Sequence, residues 1–441
     1  MELSHFFELE APTIVDFELT YDCNLNCEFC YNTEGEKGAK YTKSEGDDKR
    51  KLDKRKEVID EIANIGVSHL VFTGGEPFLD SQLLDLIEYA KSRDLYISIN
   101  TNGTLITENL AKILKRLKIL GVLITLQGGS ALEHDIQTRV KGSWEKTLLG
   151  LKYLKNEGVN VTINMTVTKN NFKLVKNVAR IAKKFNADFS ISRFITTSKK
   201  SKNLELSLSD LNELKHIIGD MDNIKSLTPI PSCTELGREI VSGICTAGLY
   251  RCCITPDLHV KPCVFSGEVI GNLEDKSLKE LWLSDKMKKW RCKNFYPSEC
   301  LSCPSFSECG GGCRVAAQYS KNKRDPLMTS KREAKREGNI FSEPIAYESV
   351  NLEHRYEPKI GVKFRQEVFG GILISEIGKV FILNSPTSII IWEQLENKAK
   401  IRDIINIIKN KYKINEEVIE KDVKRFIFVL QHKGLIHEFK E

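Results

Sequence analysis

The sequence predicts an α/β protein that begins with a partial (β/α)6 barrel of the TIM type, continues with a cysteine-rich domain and ends with a winged-helix-like α+β domain. Apolar strand patterns alternate with helical patterns over residues 12–192. Ten of the 13 cysteines lie between residues 233 and 313, and residues 359–441 contain three short strand patterns followed by three helical patterns. A chain of 441 residues is also too long for one compact core, which favours two or three domains.

Six segments within residues 12–192 have the apolar composition of buried parallel strands. Right-handed crossovers curl such a sheet towards a barrel, in which ligands gather at the carboxyl ends of the strands. The predicted strands are 14–20, 69–73, 96–101, 121–126, 160–167 and 188–193. The helical patterns between them cover about 52–65, 80–92, 107–118, 143–157 and 171–185.

The overall composition excludes several classes of protein. A net charge of +6 is mild and does not predict a nucleic-acid partner. The sequence has no apolar run of about 18 residues, so no membrane span is predicted, and its start lacks the pattern of a signal peptide. Thirteen cysteines without such a signal indicate metal or redox chemistry in a reducing, cytoplasmic compartment.

Three closely spaced cysteines, Cys23, Cys27 and Cys30, follow the first predicted strand. A structural zinc site takes four protein ligands. Three thiolates in one loop instead suit an iron–sulfur cubane in which the fourth iron stays open. The alternative is that the three cysteines are incidental.

Polar motifs follow the later strands. Gly-Gly-Glu-Pro at 74–77 follows the second, and its glycines permit close approach of the backbone to a ligand. Asn100 and Asn102 follow the third strand, and Asn164 lies within the fifth. Arg139 follows a His-Asp pair after the fourth strand, and arginine suits bidentate contact with a carboxylate. The alternatives are ordinary turns, a surface arginine and a satisfied core amide.

In this order the motifs resemble the radical S-adenosylmethionine (SAM) superfamily, whose signature is Cys-x3-Cys-x-aromatic-Cys with Phe29 in the aromatic position. The resemblance implies that Cys23, Cys27 and Cys30 hold a [4Fe–4S] cluster whose open iron binds SAM. Reduction of the cluster then cleaves SAM to methionine and a 5′-deoxyadenosyl radical. Similar enzymes usually carry Asp where this chain has Gln127. The SAM contacts implied by the resemblance are Gly74, Gly75 and Glu76 for the amino group, Asn100 or Asn102 for the ribose, Arg139 for the carboxylate, and Asn164.

The cysteine-rich block resembles the SPASM extension of radical SAM enzymes, which binds up to two auxiliary [4Fe–4S] clusters. The match is Cys300-x2-Cys303-x5-Cys309-x3-Cys313, with Cys245, Cys252, Cys253 and Cys263 upstream. The resemblance implies a first auxiliary cluster on Cys245, either Cys252 or Cys253, Cys263 and Cys313. It implies a second on Cys300, Cys303 and Cys309.

Two departures from the SPASM pattern stand out. Leu258 replaces a usual glycine, and no cysteine follows Cys313 to complete the second auxiliary cluster. The alternatives for that cluster are a non-cysteine ligand, Cys292 or Cys233 as the fourth ligand, an open iron, or no cluster at all. Zinc is a further alternative for these cysteines, because Cys-x2-Cys pairs also bind zinc.

A polar, basic stretch at 321–358 predicts a linker, with a short helix at 330–337. Beyond it the sequence predicts strands at 364–368, 371–375 and 379–383, then helices at 386–396, 400–411 and 416–434. This winged-helix order raises DNA binding as an alternative. Acidic residues interleave with Lys421, Lys424 and Arg425, so the last helix has no basic recognition stripe.

The C-terminal segment instead resembles PqqD-like domains, which recognise the leader of ribosomally made peptides. The matching features are Gly-Gly-Ile-Leu-Ile at 370–374, Leu-Asn at 383–384, Asp-Val at 422–423 and Gly-Leu-Ile at 434–436. The resemblance implies that a leader peptide adds to the edge of the third strand, beside the last helix.

Together the resemblances imply a radical SAM/SPASM enzyme that modifies a precursor peptide by a thioether, a carbon–carbon crosslink or a related oxidation, using a reductant such as ferredoxin or flavodoxin. The predicted domains are a barrel (1–230), a SPASM domain (231–320), a linker (321–358) and a peptide-recognition domain (359–441). No catalytic acid or base is identified. The alternatives are a radical SAM enzyme acting on a sulfatase or a haem precursor, and an iron–sulfur regulator that binds DNA.

Overall fold

The computed structural model describes residues 8–33, 48–196, 202–219, 221, 224–292, 296–329, 346–376, 378–413 and 415–439. Its contacts divide the chain into two compact units, Met1–Lys335 and Arg336–Glu441. Each unit has a hydrophobic core of its own.

The first unit is built on one sheet of eleven strands, and the six predicted barrel strands are confirmed within it. Strands β1 to β8 are parallel and follow one another in chain order, as successive right-handed crossovers produce. β9 adds in parallel to the outer side of β1, and β10 and β11 continue the sheet antiparallel. Among the described strands β8 and β11 are the edges, so the barrel is partial. The strands are β1 (Ile14–Glu18), β2 (His69–Thr73), β3 (Tyr96–Thr101), β4 (Gly121–Thr125), β5 (Val161–Val167), β6 (Asp188–Arg193), β7 (Lys225–Ser226), β8 (Val241–Ser242), β9 (Arg251–Ile254), β10 (His259–Lys261) and β11 (Gly271–Asn272).

The five predicted barrel helices are also present, and residues 12–192 contain one further α-helix that was not predicted. That helix, α4, begins after Ser130, whose hydroxyl accepts the amide of Glu133, while the Glu133 carboxylate accepts the amide of Gly129 at 2.7 Å. The helices of this unit are α1 (Asp48–Asn64), α2 (Leu83–Ser92), α3 (Glu108–Arg116), α4 (Ala131–Thr138), α5 (Ser143–Asn156), α6 (Val175–Lys184), α7 (Leu208–Ile218), α8 (Glu235–Glu239), α9 (Leu278–Leu283), α10 (Asp285–Lys288), α11 (Ser298–Leu301), α12 (Phe306–Cys309) and α13 (Arg314–Tyr319).

The two faces of β1 differ in character because successive side chains of a strand point to opposite faces. Val15 and Phe17 belong to the hydrophobic core that the sheet shares with its helices. Asp16 and Glu18 are buried on the other, inner face of the barrel. Cys253 of β9 is the register partner of Asp16, so it belongs to this polar inner face as well.

The beginning of the predicted linker is packed onto the first unit. Asp325 is 1% exposed and forms an ion pair with Arg193 at the end of β6. Its carboxylate also accepts the amide of Cys313 at 2.6 Å. Leu327 joins the main hydrophobic core. The segment around Asp325 and Leu327 therefore belongs to the first unit and is not a linker, and the predicted helix at 330–337 lies outside the described residues.

The second unit confirms the predicted order of three strands followed by three helices. β13, β14 and β15 form an antiparallel sheet in that order, and β12 pairs with β16. None of the helices in the described parts of the chain is both long and apolar enough to cross a membrane. The elements are β12 (Tyr356–Pro358), β13 (Lys363–Glu367), β14 (Gly370–Ile374), β15 (Val380–Leu383), α14 (Pro386–Glu396), α15 (Ile401–Tyr412), α16 (Glu416–His432) and β16 (Ile436–Glu438).

Candidate functional site

The loop that carries Cys23, Cys27 and Cys30 lies at the carboxyl end of β1. Two of its amides bind the end of α4: Asn26 donates to the carbonyl of Thr138 at 3.0 Å, and Glu28 donates to that of Gln137 at 3.1 Å. Cys23 is exposed, while Cys27 and Cys30 are half-buried. Burial raises the pKa of the Cys27 thiol, and the neighbouring Cys30 and Cys23 raise it further. The three thiols therefore lie close together, as ligands of one cluster must.

The Gly-Gly-Glu-Pro motif packs directly against the segment that leads into the cysteine loop. Gly75 donates its amide to the carbonyl of Thr20 at 2.7 Å, and Glu76 donates to that of Asp22 at 2.8 Å. A Cβ on Gly75 would lie 2.1 Å from the carbonyl oxygen of Asp22. Only glycine fits there, which explains that part of the motif.

The carboxylate of Glu76 joins this motif to the end of β3. It is fully buried and accepts hydrogen bonds from the Asn102 amide at 2.8 Å and the Thr101 hydroxyl at 2.7 Å. A third comes from the amide of Phe78 at 3.2 Å. Glu76 therefore positions the two strand ends, and a direct contact between its carboxylate and SAM stays a prediction.

Of the predicted polar contacts, Asn102 and Arg139 lie nearest the cysteine loop. The Asn102 side-chain amide is 2.8 Å from Oδ1 of Asn24 and 3.8 Å from Sγ of Cys23. Arg139 follows α4, is half exposed and lies 3.6 Å from the carboxylate of Glu28. A guanidinium beside the cluster loop could bind a carboxylate there.

Three other residues were predicted to contact SAM: Phe29, Asn100 and Asn164. Phe29 is half-buried within it, and Asn100 is half-buried on β3. Asn164 is buried on β5, where its carbonyl oxygen accepts the hydroxyls of Ser190 at 3.1 Å and Ser192 at 3.0 Å. Their SAM contacts stay predictions.

Gln127, which replaces the usual Asp, is fully buried at the end of β4. Its side-chain amide lies 2.9 Å from the carbonyl of Thr166 and 3.2 Å from the side chain of Asn171. Its backbone amide donates to Nδ1 of His134 at 3.1 Å. Gln127 therefore joins neighbouring strand ends and provides no acid.

A pair of residues that the sequence did not single out lies between the cysteine loop and the cysteine-rich block. Tyr31 directly follows Cys30 and donates its hydroxyl to the carboxylate of Glu18 at 2.8 Å. Burial raises the pKa of Glu18, and the charge of Lys261 partly offsets this. The thiol of Cys253 adjoins the same carboxylate. The available signal was the pair of acidic residues two positions apart in an otherwise apolar strand.

Arg251 extends the same inner face. Its guanidinium donates twice to the carboxylate of Asp16, at 2.6 and 2.5 Å, in a bidentate pair between β9 and β1. This ion pair connects β9 to β1. Cys253 of β9, the register partner of Asp16, therefore lies beside the barrel interior.

The structure distinguishes the two adjacent cysteines of β9. Cys252 points into the hydrophobic core with the helices, whereas Cys253 lies on the inner face. Burial raises the pKa of the Cys253 thiol, and the nearby Cys263 adds to this. Of the two alternatives, Cys253 is therefore the one positioned beside the other predicted ligands.

The other predicted ligands of the first auxiliary cluster share one small buried cluster of side chains. Cys245 and Cys313 belong to it, Cys263 packs against it, and the neighbouring Cys245 raises the pKa of the buried Cys313 thiol. Burial raises the pKa of Cys263 to about 12, and Cys245 adds to this. Arg314 holds the group by donating to the carbonyl of Cys245 at 2.9 Å.

Cys300, Cys303 and Cys309 line a separate pocket of about 230 Å³. The same pocket is lined by Cys233, which precedes α8 in the chain. Burial raises the pKa of Cys300 to about 12, with smaller contributions from Cys309 and other neighbours.

The spacing of the thiols bears on the zinc alternative. Within the described residues, no three His, Cys, Asp or Glu side chains are gathered closely enough to hold one metal ion. A single zinc ion would draw its thiolates to about 2.3 Å. The described residues therefore contain no preformed zinc site. The ligands of a cubane are spread over several irons and need not converge on one ion.

Comparison with known families agrees with this geometry. Residues 17–181 match the radical SAM superfamily, residues 245–304 match an iron–sulfur cluster-binding domain known as SPASM, and residues 371–436 match coenzyme PQQ synthesis protein D, PqqD. The chain therefore contains a radical SAM domain, a SPASM domain and a C-terminal PqqD domain, and it is an enzyme of radical SAM chemistry. The three resemblances predicted from the motifs are confirmed, and the cofactors they imply are [4Fe–4S] clusters and SAM.

Among particular proteins, the chain is 26% identical over 330 residues to the AdoMet-dependent heme synthase of Methanosarcina barkeri, covering 70% of this chain and 92% of that protein. It is 27% identical over 326 residues to the mycofactocin maturase MftC of Mycolicibacterium smegmatis, covering 71% and 80%. Among solved structures, Streptococcus suis SuiB bound to precursor peptide SuiA has 20% identity and a TM-score of 0.57, covering 72% of this chain and 75% of that one. This likeness shows the fold.

The close approach at Gly75 leads to a testable prediction. We expect Gly75→Ala to lower the rate of 5′-deoxyadenosine formation from SAM about fivefold or more. The added methyl group must displace the Asp22 carbonyl beside Cys23, and such overpacking costs about 1–3 kcal/mol, equivalent to about 5- to 150-fold in rate. Gly243→Ala is the control, because a Cβ there meets nothing within 4 Å. Equal rates for the two variants would contradict this role of Gly75.

Proposed function

We propose that this enzyme modifies a ribosomally made precursor peptide by radical SAM chemistry and that its C-terminal unit binds the leader of that peptide. The observation that carries the proposal is the joining of radical SAM and SPASM domains to a PqqD domain in one chain. The likeness to SuiB, solved with a precursor peptide, and to a mycofactocin maturase supports it.

In this proposal the chain's own residues bind and orient the cofactors. Cys23, Cys27 and Cys30 hold the first cluster, while the loop at Gly75, the side chain of Asn102 and the guanidinium of Arg139 hold SAM. The bound cluster and SAM would supply a 5′-deoxyadenosyl radical, which removes hydrogen from a substrate carbon. Cys23 is exposed, so a reductant such as ferredoxin or flavodoxin could approach this loop.

The leader would bind along β15. Among the described strands, β15 pairs with β14 alone. Ser375 donates its amide to the carbonyl of Lys379, and hydrogen-bonded pairs alternate along an antiparallel ladder. The amides of Val380 and Ile382 therefore point away from β14. On the buried face of the sheet, Phe381 packs against Phe426 of α16 with ring centroids 6.2 Å apart, so this edge lies beside α16, where an added strand could make main-chain hydrogen bonds.

We expect Ile382→Pro to weaken leader binding by the full chain at least tenfold. Proline removes an outward amide without breaking the ladder to β14, a position where strands tolerate it. A tenfold loss corresponds to about 1.4 kcal/mol, about the value of one hydrogen bond. The probe is the fluorescently labelled leader of a candidate precursor, found by screening short reading frames near the gene, and its binding is measured by anisotropy.

The matched control for this substitution is Gln366→Pro. By the same alternation, the amide of Gln366 points outward at the opposite edge of the sheet, on β13. We expect it to leave leader binding within twofold of the unsubstituted chain. Equal weakening by both prolines, or by neither, would contradict a leader site on β15.

A second candidate function is action on a haem precursor, which the match to AdoMet-dependent heme synthases favours. A small tetrapyrrole would make no use of a strand edge. On this alternative, Ile382→Pro leaves turnover unchanged, and adding an iron–porphyrin substrate, not the peptide, stimulates 5′-deoxyadenosine formation.

A further inference from the structure

We propose that Cys233 is the fourth protein ligand of a second auxiliary [4Fe–4S] cluster, so that this cluster is closed by a cysteine far upstream of Cys300, Cys303 and Cys309. The inference deepens the proposed function and rests on it, because it concerns how the enzyme handles electrons during peptide modification.

One pocket gathers four cysteines. Its lining contains Cys300, Cys303 and Cys309, the three ligands predicted for the second cluster, together with Cys233. Four thiols around a common volume of about 230 Å³ match the all-cysteine ligation of a cubane.

Hydrogen bonds hold Cys233 and its neighbour in place beside this pocket. Ser232, its neighbour, donates its amide to Sγ of Cys309 at 3.3 Å. Thr329 donates its amide to Sγ of Cys233 at 3.4 Å and its hydroxyl to the Cys233 carbonyl at 2.8 Å. The turn before α8 is therefore attached on one side to a predicted ligand and on the other to the last described residue before 346.

The other candidates for the fourth ligand are engaged elsewhere. Cys292 is exposed, donates to the carbonyl of Lys288 at 3.3 Å and is not among the residues that line the pocket. Glu299 lines the pocket, but its carboxylate forms an ion pair with Arg324 at 3.1 Å. No cysteine follows Cys313 in the sequence.

Closure by Cys233 has a functional consequence. A cubane with four protein ligands has no iron open to a substrate, so the second cluster would carry electrons and would not bind the peptide. Cys233 lies between β7 and α8. The cluster would therefore also connect the last strands of the parallel sheet to the segment that contains Cys300, Cys303 and Cys309.

The test uses the full chain with Cys23, Cys27 and Cys30 changed to Ala, because the first cluster has an open iron of its own. This parent is reconstituted anaerobically, and its iron and sulfide are measured before and after mild oxidation. Oxidation removes the exposed iron of an open cubane and leaves a three-iron cluster that electron paramagnetic resonance (EPR) detects. Cys233→Ala is added to the parent, and Cys292→Ala is the matched control.

We expect the parent to hold about eight irons, about four per cubane, and to give little three-iron signal. Cys233→Ala should lose iron, either the whole second cluster or one iron with a strong three-iron signal. Cys292→Ala should behave as the parent does. A parent with only about four irons, or an unchanged iron content and EPR signal in Cys233→Ala, would overturn the assignment.

A second variant covers the case in which Cys233→Ala fails to fold. Cys233→Asp supplies a carboxylate that can still bind iron. Retention of iron with an altered EPR spectrum of the reduced cluster supports the assignment, and a spectrum identical to the parent's overturns it. Leader binding, measured on the same preparations, reports separately on the proposed function.

Discussion

The triple variant Cys23/Cys27/Cys30→Ala is expected to form no 5′-deoxyadenosine from SAM and to hold about four fewer irons than the unsubstituted chain. The three cysteines share one loop, held at Asn26 and Glu28 by hydrogen bonds to the end of α4. With all three thiols removed, no ligand for this cluster remains in the loop. With both auxiliary sites filled, the iron content falls from about twelve to about eight per chain.

Iron, sulfide and 5′-deoxyadenosine are measured after anaerobic reconstitution. Cys292→Ala is the control, because Cys292 is an exposed cysteine outside all three proposed sites. A fall from about eight irons to about four would indicate a single auxiliary cluster and would remove the role proposed for Cys233. Unchanged iron, or continued cleavage of SAM, would contradict the assignment of the first cluster.

Of the substitutions proposed here, Asp325→Asn is expected to lower the free energy of unfolding most, by about 3–5 kcal/mol. Asp325 and Arg193 form a buried ion pair, and removing one charge of such a pair leaves the other buried without compensation. Asn keeps the shape of the side chain, so the loss reports the charge. The amide of Cys313 also loses its carboxylate acceptor, so we expect the first auxiliary cluster to lose iron.

Urea denaturation of the chain before reconstitution measures the stability, and iron analysis afterwards measures the cluster. Glu108→Gln is the control, because Glu108 pairs with Lys112 on the surface of α3, where ion pairs contribute little. A loss for Asp325→Asn no greater than that of the control would contradict a structural role for the Arg193 pair.

Local patterns predicted most of the fold. The strands of the barrel were recognisable because buried parallel strands are continuously apolar, and the three-strand, three-helix order of the second unit followed from its turns and periodicity. Helix α4 was missed although its signal is local. Ser130 and Glu133 have the spacing of a capping box. The two glycines before Ser130, however, are typical of a turn.

Long-range pairing limited the prediction of the site. Glu18 reads locally as part of a strand, and only the tertiary structure brings Tyr31 to it. The choice between Cys252 and Cys253 depends on which face of β9 each occupies, and that is set by the register with β1. Asp325 lies in a polar segment that resembled a linker, because its partner Arg193 is 132 residues away.

The most direct test of the account is the mass of a peptide after reaction. The reconstituted full chain is incubated with SAM, dithionite and the candidate precursor peptide whose leader it binds, and the products are analysed by mass spectrometry. We predict a peptide lighter by two hydrogen atoms, formed together with 5′-deoxyadenosine and dependent on the intact leader. Formation of 5′-deoxyadenosine with a peptide of unchanged mass, at the same rate with and without the leader, would contradict a peptide maturase.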